Sequence, residues 1–287
     1  MHRTIALILI SILLSAGCLS PEPPQAEEGV IPVTPDEPFS LFGGQGTYTG
    51  LIGEETPDIP ANYSIGMVTI PPGNATPPHR LVGTTEFVYL IEGEAEIQCD
   101  NQTVTARAGE VVLLPAGVLQ SIASVGATDL RYVDVIQPPF AAENEISGDD
   151  LTALAGTTDG VPVVIPDPRG GIEWDLGSEM MIYTLANPVL MEEMNLPIEY
   201  SVAYVEFLPG GSIGYNRLNG SSELVYVLDG EVEVFTPDAG SVRVPAGSAA
   251  YVPPDRVKGY RNVAATNSTM LSFVDPAWTP ERTEMLE

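Results

Sequence analysis

The chain contains two histidines, His2 and His79, and only His79 lies beyond the first 17 residues. Imidazole is the commonest general base at neutral pH. With a single copy and no Ser-His-Asp arrangement, hydrolytic-triad chemistry finds no support. The setting of His79 is more informative. Gly73, His79, Leu81, Glu86 and Gly93 form a series that recurs as Gly210, Asn216, Leu218, Glu223 and Gly230. Residues two apart on a strand share a face, so positions 79 and 81, like 216 and 218, point the same way.

The recurrence is part of a longer repeat. Setting Tyr63 to Gln98 beside Tyr200 to Phe235, at an offset of 137, makes about 14 of 36 positions identical, far above chance. Ala108-Gly109 and the residues after it align with Ala246-Gly247 at an offset of 138, so one residue is inserted between the blocks. Two like domains follow, 37–142 and 161–279, with a linker at 143–160 and a tail at 280–287. Each copy consists of short alternating runs separated by Gly, Pro, Asn or Asp, the pattern of an all-β sandwich or barrel. Helix is expected only at Gly148 to Ala155 and Pro188 to Met194. Tyr89 and Tyr226 alternate with inward positions and are expected to face outward as packing residues, and Arg80 and Arg217 to point away from any pocket. Tyr215, Tyr260 and Trp174 are expected in the core or at a pocket rim.

Composition removes other classes. The 287 residues include 39 acids against 11 Lys and Arg, a formal net charge of −28. Such a chain repels phosphate, so nucleic acid is excluded as a partner. Hydrophobic residues make up 44%, too many for a disordered chain.

The N-terminus reads as an export signal. A short basic start is followed by the apolar run Ile5 to Leu14 and by Ser15-Ala16-Gly17-Cys18. Ten residues are too few to span a bilayer, and the pattern fits a signal peptide at 1–17. The Cys after Ala-Gly resembles the lipobox of prokaryotic lipoproteins. That resemblance implies lipidation of Cys18, a Pro- and Glu-rich tether over 18–36, and a lipid-anchored location outside the cytoplasm with the membrane as partner. Cys99 is then left without an intrachain partner, as an inert thiol. On an exported chain the N-x-S/T triplets at Asn62, Asn74, Asn101, Asn219 and Asn267 are candidate glycosylation sites.

The spacing of the two series resembles the cupin family. Its first motif, G-x5-H-x-H-x3–4-E-x6-G, is met in spacing by the residues named above, with Leu81 at the second His in copy one and Asn216 and Leu218 at both in copy two. Its second, G-x5-P-x-G-x2-H-x3-N, is met in spacing by Gly109, Pro115, Gly117, Gln120 and Ser124, and by Gly247, Pro253, Asp255, Lys258 and Asn262. The resemblance implies a bicupin: two tandem cupin-type jelly-roll β-barrels, acting as a monomeric pseudo-dimer or a homodimer. Family metal sites use three imidazoles and one carboxylate. Copy one retains His79 and Glu86, has Leu81 at the second imidazole position and offers Gln120 at the fourth. The implied candidate ligand set for a divalent metal (Mn, Fe, Zn or Ni) is His79, Glu86 and Gln120, the alternative being a hydrogen-bonded His79–Glu86 pair. Copy two offers Asn216, Leu218, Glu223 and Lys258, with Tyr260 nearby, and no imidazole. Lys258 is expected to stand where a metal would and to pair with Glu223, since two buried charges need one another. The resulting expectation is a non-enzymatic, small-ligand-binding or structural module. The alternative is a metal-dependent enzyme of aminohydrolase, isomerase or dioxygenase type in copy one. Gln120 is similar to the Gln that serves as a metal ligand in (S)-ureidoglycine aminohydrolase, a bicupin whose metal half also carries two His and a Glu.

Overall fold

The alternating runs become strands in the computed structural model, which describes residues 29–148, 150–151, 160–177, 179–238 and 240–286. The segment 1–17, Cys18 and the tether as far as 28 lie outside the described residues. Among the described residues regular structure is strand with a few 3-10 turns, and no helix is long and apolar enough to cross a membrane. The fold is all-β, in two tandem jelly rolls.

Each half pairs a seven-stranded sheet with a five-stranded one. In the first half the larger sheet runs in the order Val163–Ile165, Val111–Leu114, Thr85–Glu92, Leu130–Gln137, Ser64–Ile70, Gly46–Ile52, Phe39–Leu41. Its five-stranded partner runs Glu145–Ser147, His79–Leu81, Gln120–Ser124, Glu94–Cys99, Gln102–Arg107. The second half repeats this order, with Ile31–Val33 at the edge of its larger sheet and Thr283–Met285 at the edge of its smaller one.

Central strands of the larger sheets are buried on both faces, which is why their sequences are nearly continuously apolar. Along Thr85–Glu92, Val88 and Leu90 enter the core of the first barrel, whereas Phe87 and Tyr89 enter a core shared by both halves. Along Ser222–Asp229, Val225 and Val227 face the second barrel and Leu224 and Tyr226 the shared core. Tyr89 and Tyr226 thus do leave their own barrels, and each is buried against the opposite half (5% and 2% exposed). Phe273 lies at the centre, its ring 6.0 to 6.2 Å from those of Phe87, Tyr63 and Tyr200.

The strand pairing departs from the sequence boundaries in three places. Ile31–Val33, expected within the tether, pairs with Ala249–Val252 of the second half, and Val163–Ile165 reciprocates by pairing with Val111–Leu114 of the first. Glu145–Ser147, expected as linker, pairs with His79–Leu81. Thr283–Met285, expected as tail, pairs with Ser212–Leu218, and Glu284 forms an ion pair with Arg217 there. An open sheet edge leaves backbone donors unsatisfied, and each of these short strands supplies the missing partners. Helix is also absent at Pro188 to Met194. Asn187 Oδ1 accepts from the backbone N–H of Val189 and Leu190, closing a turn, and only Glu192–Met194 coils, as 3-10. Most of the other helix candidate, Gly148 to Ala155, lies outside the described residues.

Candidate functional site

Each barrel holds a cavity floored by the residues of its repeated series. In the first half, strand alternation turns Glu86, Tyr132 and Asp134 inward from the larger sheet, while His79 and Gln120 come from the smaller sheet, directly paired in register. His79, Glu86 and Gln120 do come together. His79 Nδ1–H donates to the Pro77 carbonyl at 2.9 Å, leaving Nε2 as an acceptor 3.2 Å from the Gln120 amide nitrogen. The same amide donates to Glu86 Oε2.

Sequence reasoning missed Asp134. It is 8% exposed and shares a hydrogen bond with Glu86. Burial, then the Glu86 charge, hold the Asp134 carboxyl well above the usual carboxylate range, and burial raises Glu86 too. Burial therefore favours one proton shared between the two carboxyls over a doubly charged pair. Gly66 helps to position the group. It pairs with Asp134 across the sheet, and a Cβ there would overlap the Tyr48 ring, so its bare backbone lets Tyr48 lie in the cavity beside Asp134.

The sign of the resulting pH dependence is fixed. In the unfolded chain both carboxyls titrate near about 4. The folded pair holds its proton at higher pH, so its contribution is fully present below the unfolded value and is lost as pH rises through the folded one. Asp134→Asn keeps a donor to Glu86 but removes one ionisable group. Its thermal midpoint, relative to the native protein, should rise as pH increases; parallel curves for the two proteins would contradict this.

The second half places a different set on the same frame. Lys258 Nζ is 3.2 Å from Glu223 Oε2, with the lysine 1% exposed. Tyr260 donates to Glu223 Oε2 and Ser272 to Oε1, each at 2.6 Å. Asn216 turns back to the Gly214 carbonyl at 3.0 Å. Ser272 is the repeat counterpart of Asp134 and was also missed. Above this floor is a cavity of about 360 Å³ walled by Leu218, Val205, Phe207, Met270, Trp174 and Trp278. The two indoles meet edge to face, 5.0 Å apart, and Trp278 was unforeseen. Tyr215 lies elsewhere, against Phe235. In the first half Leu81 lines the cavity, and Arg80 bonds away from it, to Asp100 and the Gly117 carbonyl.

Neither donor set fits a resident transition ion. In the first half the Gln120 NH2 group is turned toward the His79 and Glu86 lone pairs that would converge on a cation. In the second an ammonium occupies the place and no imidazole is present. Among the described residues no group of three or more His, Cys, Asp or Glu has metal-holding geometry.

Of the candidate glycosylation sites, Asn62, Asn101, Asn219 and Asn267 are exposed and Asn74 is half-buried. Cys99 is fully buried and burial pushes its thiol up to about 11, a setting without thiolate reactivity.

A family model for the cupin domain matches residues 66–136 and 203–274. An oxalate-binding protein of Thermotoga maritima is 29% identical over 106 residues, which is 36% of this chain and 87% of that one. The fold is similar to that of Lactobacillus farciminis oxalate decarboxylase in its formate complex, with a TM-score of 0.68 and 14% identity over 91% of this chain and 89% of that one. Bacillus subtilis oxalate decarboxylase at pH 4.6 gives a TM-score of 0.65 with 14% identity, covering 91% and 79%.

Proposed function

Because the chain belongs to the cupin family and carries two cupin domains, we propose that it is a solute-binding bicupin, without a resident metal, anchored to the cell membrane by lipid on Cys18 and facing outside the cytoplasm. One observation carries the binding role: the floor of the second cavity is electrically closed. Lys258 neutralises Glu223, and Ser272 and Tyr260 satisfy its oxygens, so an incoming molecule meets apolar and aromatic walls and no unpaired charge. Concave sites of this size with few polar groups take small, largely apolar ligands. A neutral molecule suits it best.

Oxalate, named in one relative and in the solved structures of similar fold, is a poor match. A dianion in the first cavity would face Glu86 and Asp134, and in the second would compete with Glu223 for one lysine. The shared core speaks for a monomer acting as a pseudo-dimer, since each half already covers the large sheet of the other.

The chain has two tryptophans, and both line the second cavity. Bromobenzene, an uncharged heavy-atom quencher, should therefore quench the intrinsic emission saturably. Val205→Phe, which fills the cavity, should abolish saturation while the circular dichroism spectrum is retained. Linear quenching that is identical in both proteins would refute the reading.

A further inference from the structure

We propose that the second cavity takes a hydrocarbon chain end-on, from an uncharged single-chain amphiphile whose polar end stays at the mouth. This rests on the solute-binding reading of that cavity and names the class of solute.

The apolar wall does not stop at the opening. Leu176 and Met285 both line the cavity, yet they are 48% and 58% exposed. Exposed apolar side chains that continue a buried apolar wall mark a binding surface. A solute that covers both the wall and this rim is elongated.

The donors on the wall are spent on the protein itself. The indole N–H of Trp174 donates to Thr184 Oγ1 at 2.9 Å, and that of Trp278 to Thr283 Oγ1 at 2.7 Å. The side-chain amides of Asn187 and Asn216 donate to the Trp278 and Gly214 carbonyls, at 2.8 and 3.0 Å. Tyr260 and Ser272 are turned to Glu223. A polar group that entered would exchange water for walls whose indole, amide and phenol donors are engaged, which is costly. The apolar end therefore enters first.

The wall also suits a flexible occupant. Three of the eight methionines, Met180, Met270 and Met285, line this cavity, and among the described residues none lines the first. Methionine is unbranched and polarizable and adapts its shape to its contacts. The cavity of about 360 Å³ equals roughly twelve waters at ~30 Å³ each, room for a chain of about ten carbons.

The probes are 1-hexanol, 1-octanol and 1-decanol, titrated calorimetrically into the full chain. One equivalent should bind, with affinity rising about fourfold for each added methylene. The compound 1,10-decanediol should bind at least roughly tenfold more weakly than 1-decanol, because one hydroxyl would have to enter the apolar interior. Leu176→Ser/Met285→Ser, confined to exposed side chains, should weaken 1-decanol several fold and leave bromobenzene quenching unchanged. An affinity flat along the series, a diol that binds as tightly as the alcohol, or undiminished binding of 1-decanol to the rim variant would each overturn the assignment. Saturable bromobenzene quenching without binding of any alcohol would overturn it too, while leaving the solute-binding reading in place; loss of both would end both.

Discussion

Replacing Lys258 by methionine should destabilise the protein by about 3–5 kcal/mol, because it strands the Glu223 charge inside the barrel. Lys258 is 1% exposed and its ammonium is the cation facing that carboxylate. Methionine matches the stem in length, so packing changes little and the loss reports the charge. Tyr260 and Ser272 would still donate to Glu223, but neutral donors do not replace an ammonium at a buried carboxylate. The double variant Lys258→Met/Glu223→Gln should recover most of the loss, since it removes both charges and leaves an amide that the same hydroxyls can satisfy. Urea unfolding at neutral pH measures all three proteins. A loss below about 1 kcal/mol in the single variant, the magnitude of an exposed pair, would mean that the two groups are solvated.

Phe273→Ala should cost about 3–5 kcal/mol, the usual range for deleting a fully buried aromatic, and should weaken both halves at once. Phe273 is 0% exposed and its ring meets Phe87 and Tyr63 from the first half as well as Tyr200 from its own. The exchanged strands Ile31–Val33 and Val163–Ile165 tie the halves together a second time. Unfolding should therefore remain one transition. Tryptophan emission senses residues 174 and 278 in the second half, whereas far-ultraviolet circular dichroism senses both halves. The two signals should coincide in the native protein and shift together in the variant. Two separated transitions would show that the shared core does not couple the halves.

Much of this was legible in the sequence, for physical reasons that can be named. The repeat and its glycines fixed two barrels, because Gly93 and Gly230 hold positive φ at hairpins that other residues adopt poorly. The Lys258–Glu223 pair could be anticipated because both stand at aligned pocket positions and neither can be buried alone. Asp134 could not. In Leu130–Gln137 both faces are buried, so apolar residues fill both phases, and Asp134 turns inward only because Val133 and Val135 pack on the other half. The strand exchange was hidden for another reason: three residues such as Ile31–Val33 carry no periodicity of their own, and the sheet edge that claims them lies more than two hundred residues away. The final strand Thr283–Met285 was likewise too short to read, although its counterpart Glu145–Ser147 lies at the repeat offset of 138.

The central claim is that an amide in one barrel and an ammonium in the other have taken the place of metal-ligating imidazoles. The most direct measurement is elemental analysis of the purified protein after incubation with Mn and Zn salts and desalting, in parallel with His79→Ala. Well below one ion per chain is expected, with no difference between the two proteins, because the lone pairs of His79 and Glu86 are already engaged. Close to one tightly held ion per chain in the native protein, lost in His79→Ala, would contradict the account.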